Sequence, residues 1–230
     1  MTLVLGAMDG EVAAIVENMD VERRERWHGF PVVVGTIAGS PVVVSRTGVG
    51  KTLSAMLCQR LIDRHEPKRI IFTGVAGALR KDLDIGDTVV AREALQHDLD
   101  VTALGFPVGQ VPYSTWRVFT CDPPLVERAM AVVPPQGRSH LGRILSGDQF
   151  IADAVRREAL ARELDGDAVE MEGASVALVA TVNEIPFLLI RTISDHADLS
   201  DEGSAVEFER VVELAAANSW HYLHTMLTDL

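Results

Sequence analysis

The chain has 230 residues, 47% of them hydrophobic, with 33 Asp and Glu against 21 Lys and Arg for a formal charge of −12. That acidity repels phosphate backbones and anionic membrane surfaces, which argues against nucleic-acid and membrane partners, and the apolar content excludes general disorder. Cys58 and Cys121 make neither a disulfide framework nor a CxxC site, which fits a reducing compartment. The length suits one α/β domain spanning residues 1–230. The opening Met-Thr-Leu-Val-Leu-Gly has no basic n-region, and no stretch reaches the roughly 20 apolar residues of a membrane helix, so a cytoplasmic location is expected.

Thr2–Leu5 predicts a short buried strand, and Val12, Ile15 and Val16 recur at helical spacing within Glu11–Asn18. Phe30–Val34 and Pro41–Ser45, two β-branched runs around the turn signal Ala38-Gly39-Ser40, predict a hairpin. Lys51–His65 predicts a helix with Leu53, Met56, Leu57, Leu61 and Ile62 on its buried stripe, and Arg69–Phe72 predicts another buried strand. A strand over Val89–Leu95 follows the turn Asp84-Ile85-Gly86-Asp87. From His97 to Thr115, Gly, Pro and polar residues predict a loop-rich excursion, a place for binding or subunit contact. Leu125–Val133 predicts a helix after Pro123-Pro124, Gly142–Leu145 a strand, and Ala152–Leu164 a helix. Asp167–Glu170, Glu172–Asn183, Phe187–Ile193 and Val206–Leu227 then read as strand, helix, strand and long terminal helix. This alternation argues for crossover units on a central sheet, with no internal repeat and no domain boundary.

The segment Ser45-Arg-Thr-Gly-Val-Gly-Lys-Thr52 stands where a phosphate-cradling loop would stand, but Ser45 occupies the position at which a P-loop needs Gly. A dinucleotide fingerprint fails as well, because Leu53 replaces its third glycine. What remains is either a tight turn or a helix N-terminus able to hold an anion or a ribose. Thr73-Gly-Val-Ala-Gly77 follows a buried strand, and its small residues either let a ligand approach or serve packing alone. His97-Asp98-Leu99-Asp100 offers one imidazole and two acids without a second ligand cluster, so no metal and no cofactor are expected. There is no GxSxG elbow. The acids at strand ends carry more: Glu11 after Gly6-Ala-Met-Asp-Gly10, Glu170-Met171-Glu172, and Asp195 after Phe187–Ile193. Singly, each reads as a helix N-terminal acid favoured by the dipole; together they suggest carboxylate acid/base catalysis of the kind that cleaves glycosidic bonds.

Six motifs in order, Gly6-Ala-Met-Asp-Gly-Glu-Val12, Thr47-Gly-Val-Gly-Lys51, Thr73-Gly-Val-Ala-Gly77, His97-Asp-Leu-Asp-Val-Thr102, Ser146-Gly-Asp-Gln-Phe-Ile151 with Val169-Glu-Met-Glu172, and Arg191-Thr-Ile-Ser-Asp-His-Ala-Asp198, carry a resemblance. The chain resembles the 5′-methylthioadenosine/S-adenosylhomocysteine nucleosidases of the nucleoside phosphorylase superfamily. The resemblance implies a three-layer α/β/α sandwich around a central mixed sheet, and a homodimer in which one subunit helps close the other's site. The implied reaction is hydrolysis of the N-glycosidic bond of 5′-methylthioadenosine, S-adenosylhomocysteine and 5′-deoxyadenosine, as in methionine salvage.

The resemblance also implies roles. Glu11 would orient and activate the attacking water, Glu172 would hold the ribose hydroxyls, and Asp195 would protonate or hydrogen-bond N7 of adenine, positioned by Ser194 and Arg191. Phe150 would stack on adenine, the Ile151 backbone would read its N1 and N6 edge, and Met171 would pack against ribose. Glu170, Val49, Val75, Ala76 and Gly77 would belong to the same substrate site, and Leu104, Phe106 and Pro112 of the second subunit would line the 5′-substituent pocket. Adenine leaves poorly until N7 takes a proton, and carboxylates stabilise the oxocarbenium-like sugar, so acid and base must differ, with Glu11 ionised beside the water. The family commonly has Ser at Val75 and bulkier aromatics at Leu104 and Phe106. Val75 offers no hydroxyl to phosphate, which favours water as the nucleophile. The alternatives are a nucleosidase for 6-amino-6-deoxyfutalosine in menaquinone synthesis, a phosphorylase, and a nucleoside-binding module without turnover.

Overall fold

The computed structural model describes residues 1–197 and 205–228. In chain order its elements are β1 (Thr2–Gly6), α1 (Asp9–Asn18), β2 (Asp20–Trp27), β3 (Phe30–Ile37), β4 (Ser40–Arg46), α2 (Lys51–His65), β5 (Arg69–Ala78), β6 (Thr88–Gln96), β7 (Val118–Thr120), α3 (Pro123–Met130), β8 (Ser139–Ser146), α4 (Ala154–Leu164), β9 (Ala168–Glu170), α5 (Gly173–Val182), β10 (Phe187–Asp195) and α6 (Ala205–Leu227). Asp198, the last residue of the sixth motif, lies outside the described residues.

The strands form one mixed sheet. β1 is buried along its whole length and runs parallel to β4 on one side and β5 on the other; β3 and β2 extend the β4 side antiparallel. At the other side β5 pairs with both β10 and β9, and the order β10-β6-β8-β9 brings the sheet back to β5 as a closed ring of five strands. Gly77 of β5 is the junction, opposite Asp195 of β10 on one side and Val169 of β9 on the other. α1 packs on α6 and α2 on α5, so helices cover both faces in a three-layer α/β/α sandwich. That double cover is why β1, β5 and β10 read as continuous apolar runs rather than alternating ones.

The fold class expected from the sequence is the one observed, with several corrections inside it. β2 and β7 were not expected. β2, Asp-Val-Glu-Arg-Arg-Glu-Arg-Trp, has no buried face because it is the sheet's edge, and its charges blunt pairing with another chain. α2 has the expected bounds, yet Leu53 and Met56 are 39% and 41% exposed, while Ser54 and Cys58 join Leu57, Leu61 and Ile62 on the buried side. Pro123 and Pro124 lie inside the first turn of α3, where their missing N–H groups cost nothing, under an Asp122 cap on the N–H of Leu125 (3.0 Å). The 97–117 excursion is a loop with one 3₁₀ turn, Thr102–Leu104. Among the described residues, no helix is long and apolar enough to cross a membrane.

Candidate active site

A cavity of about 220 Å³ opens beyond the carboxyl ends of β1, β5, β9 and β10, the position at which open α/β sheets bind ligands. The structure brings Glu11, Val49, Val75, Ala76, Gly77, Phe150, Ile151, Glu170, Met171, Glu172, Ser194 and Asp195 together around it. Ala7, Met8, Gln149 and Val169 complete the wall. Sequence reasoning did not single these four out, although each lies within a recognisable motif. Phe150 stands at the mouth, 59% exposed. Leu104, Phe106 and Pro112 do not line the cavity. They sit in the excursion, with Leu104 65% exposed and Phe106 edge-on to Tyr113.

Glu11 is buried on the first turn of α1. Its Oε2 accepts the N–H groups of Ala7 (2.6 Å) and Met8 (2.9 Å), and its Oε1 accepts that of Val75 (2.9 Å). The loop after β1 and the middle of β5 therefore hold one carboxylate between them. Gly74 is what makes room: a Cβ there would stand 2.4 Å from Oε1. Burial pushes the Glu11 carboxyl above its ordinary value, with Arg191 and the three N–H donors pulling the other way.

Glu170 and Glu172 bracket the turn from β9 into α5 but face different partners. Glu170 caps α5, accepting the N–H of Gly173 at 2.7 and 3.0 Å and that of Glu172 at 3.1 Å, and it takes the hydroxyl of Ser146 and Arg191 Nη2 (2.8 Å). Arg191 is fully engaged there: its Nη1 donates to the carbonyls of Phe72 (2.9 Å) and Ile190 (3.1 Å), and its guanidinium lies 4.4 Å above the Phe72 ring. This corrects the expected role of Arg191, which neither lines the cavity nor bonds to Asp195 but neutralises Glu170 in the core. Glu172 accepts one N–H, from Gly50 at 2.8 Å. Burial first, then the neighbouring Glu170, push its carboxyl up to about 8.

The helix N-terminus at Thr47–Thr52 thus does hold acidic groups, and they are the protein's own side chains: Gly50 N–H serves Glu172 and Lys51 N–H serves Asp148. Gly50 has φ +98°, a conformation open to glycine and costly to other residues.

Asp195 ends β10. Its Oδ2 accepts the Ser194 hydroxyl (2.7 Å) and its Oδ1 the N–H of Ala197 two residues on (2.7 Å), an Asx-type turn that fixes the carboxyl at the cavity. Gly77 lies opposite, where a Cβ would come within 3.0 Å of Oδ1. Among the described residues, no group of three or more His, Cys, Asp or Glu side chains is placed to hold a metal.

Fold and site together define an α/β/α protein that aims carboxylates held by backbone amides into a largely apolar cavity. The chain belongs to the phosphorylase superfamily, whose family model matches residues 2–228. It is similar to the 5′-methylthioadenosine/S-adenosylhomocysteine nucleosidase of Shewanella pealeana, 37% identical over 230 residues that cover 99% of this chain and 98% of that one. Among solved structures it resembles the corresponding nucleosidase of Neisseria meningitidis in complex with methylthio-immucillin-A (TM-score 0.90, 32% identity, 100% and 99% of the two chains). It also resembles a futalosine hydrolase of Helicobacter pylori (TM-score 0.89, 32% identity, 100% and 97% of the two chains).

Proposed function

We propose that this protein is an N-glycosyl hydrolase that splits 5′-methylthioadenosine and S-adenosylhomocysteine, with water, into adenine and the 5-substituted ribose. The observation that carries this reading is the convergence of Glu11, Glu172 and Asp195 on one apolar cavity in a chain so similar to named nucleosidases. Glu11, its oxygens aligned by three amides, orients the water and takes its proton. Asp195 faces N7 of adenine and supplies the proton or hydrogen bond that lets the base leave. Glu172 holds the ribose hydroxyls beside the developing positive sugar. Phe150 stacks on the base, the Ile151 backbone reads its edge, and Met171 packs on the ribose. Arg191 acts at one remove: by pairing with Glu170 it fixes the turn that presents Glu172.

Val75 contributes an N–H to Glu11 and no hydroxyl, which supports water over phosphate as the nucleophile. The exposed Leu104, with Phe106 and Pro112, supports a homodimer in which the excursion of one copy closes the 5′ pocket of the other. We place the enzyme in the cytoplasm. The futalosine hydrolase likeness favours a second substrate, 6-amino-6-deoxyfutalosine, whose adenine would leave by the same acids.

Incubation without phosphate with methylthioadenosine, S-adenosylhomocysteine, 5′-deoxyadenosine and 6-amino-6-deoxyfutalosine, following adenine and kcat/KM, tests the proposal. The first two are expected to release adenine fastest. Release that depends on added phosphate would make the protein a phosphorylase, and tight binding with no adenine formed would make it a binding module.

A further inference from the structure

Lys51 opens α2 and uses two different atoms to reach two acids. Its backbone N–H donates to Asp148 Oδ1 (2.8 Å), and its Nζ donates to Asp98 Oδ1 (2.5 Å) and Gln96 Oε1 (3.0 Å). The other oxygen of Asp98 accepts the backbone N–H of Asp148 at 2.8 Å. Residues 51, 98 and 148 therefore close a ring of charge-assisted hydrogen bonds in which the Lys51–Asp98 pair is largely buried and Asp148 is exposed. Burial pushes the Asp98 carboxyl up, and the bonds from Lys51 and Asp148 overcome it and hold the group below its ordinary value.

The ring stands where three segments of the site meet. Gly50, beside Lys51, donates its N–H to Glu172. Asp148 immediately precedes Gln149, Phe150 and Ile151, which form a wall of the cavity. Asp98 begins the excursion that carries Leu104 and Phe106. His97 is buried with neither ring nitrogen hydrogen-bonded, and so close to Gly147 that a Cβ there would stand 2.4 Å from Nε2. His97 thus backs the residue before Asp148, and the ring ties Asp148 itself to Lys51 and Asp98.

Building on the nucleosidase reading, we propose that Lys51 is a positioning residue which, through Asp98 and Asp148, fixes the adenine-facing wall Gln149–Ile151 relative to the ribose-facing Glu172. Without the ammonium, Asp98 loses its cation and the ring opens at the Lys51–Asp98 link, leaving only the two backbone N–H bonds to hold the spacing between the base and sugar subsites. Glu11 and Asp195 lie on other elements, outside the ring. The loss therefore falls on seating the nucleoside rather than on bond cleavage once it is seated.

The test compares wild type with Lys51→Met and Asp98→Asn, titrating adenine by calorimetry and measuring KM and kcat for methylthioadenosine together with Tm. For Lys51→Met, the adenine Kd and the KM are expected to rise about ten- to a hundredfold, the range set by losing a hydrogen bond to a charged group, with kcat within about threefold. Asp98→Asn should move both constants in the same direction by less, because its amide oxygen still accepts the Asp148 N–H. It also carries the test alone if Lys51→Met fails to fold. Adenine affinity within about twofold of wild type, or a loss confined to kcat, overturns the proposal. Wild type that binds adenine but releases none from any nucleoside would instead overturn the nucleosidase reading, and adenine affinity in the variants would still decide the role of the ring.

Discussion

Two carboxyl groups two residues apart sit on opposite sides of the same turn and meet opposite environments. On the core side Glu170 has an arginine, a hydroxyl and three amide contacts, so its charge is compensated and its job is to hold the chain. On the cavity side Glu172 has one amide and an apolar pocket, so its charged form is under-compensated and the carboxyl keeps its proton up to about 8, free to hydrogen-bond a ligand. Glu11 belongs with Glu172: among the described residues it has three amides but no direct cation partner. The lesson is that burial alone does not mark a catalytic acid. What marks it is burial in which the missing partner is on the ligand's side.

Substitutions on the two sides should therefore fail in different ways. Glu11→Gln and Asp195→Asn are near-isosteric and leave the core pair intact, so each is expected to cost about 10²–10⁴ in kcat with little change in Tm. Near-wild-type turnover in either would break the cavity-side assignment. Arg191→Met should do the reverse in the first instance, losing about 3–5 kcal/mol of stability in denaturant unfolding because Glu170 is left buried without its cation.

The pH dependence sharpens the contrast. A carboxyl whose folded pKa is raised keeps its proton in the native state over a range where the unfolded chain has lost it. Its contribution to stability is complete below the ordinary value of 4.5 and is lost as pH rises towards about 8. Wild type should therefore lose Tm across that window more steeply than Glu172→Gln, and parallel curves would show that the cavity-side charge is compensated after all. The smallest effect belongs to the exposed edge. Arg64→Ala removes the 2.9 Å ion pair with Glu25 and should change stability by less than about 1 kcal/mol.

How much of this was legible follows from where the information sits. The bounds of α2, and within two residues those of β1 and β10, could be read because propensity and apolar runs act locally, whereas β5, expected to end at Phe72, runs on through Thr73–Gly77 to Ala78. β2 could not, because an edge strand with no buried face carries no hydrophobic period, and it is a strand only because β3 offers it a free row of amides and carbonyls. The turn at Gly50 could be read as either a tight turn or a binding helix N-terminus, but the group it holds, Glu172, lies 122 residues away. Arg191 sits within a motif and so looked like part of the site. Only the fold reveals that Glu170 and two carbonyls have already claimed its donors. All four carboxylates were visible as acids at strand ends, and the amides that align them were not, since every residue but proline has one.

The closure of β5 onto β10 also sets a timetable for the nascent chain. Contacts such as Arg191 to the Phe72 carbonyl join residues 119 apart, so the strand bearing Asp195 can dock only after most of the polypeptide has been made. Long-range pairings of this kind form late and slowly. Until then the cavity lacks Ser194 and Asp195, and on the proposed roles a ribosome-bound fragment that ends before β10 is chemically silent however well its first strands are folded.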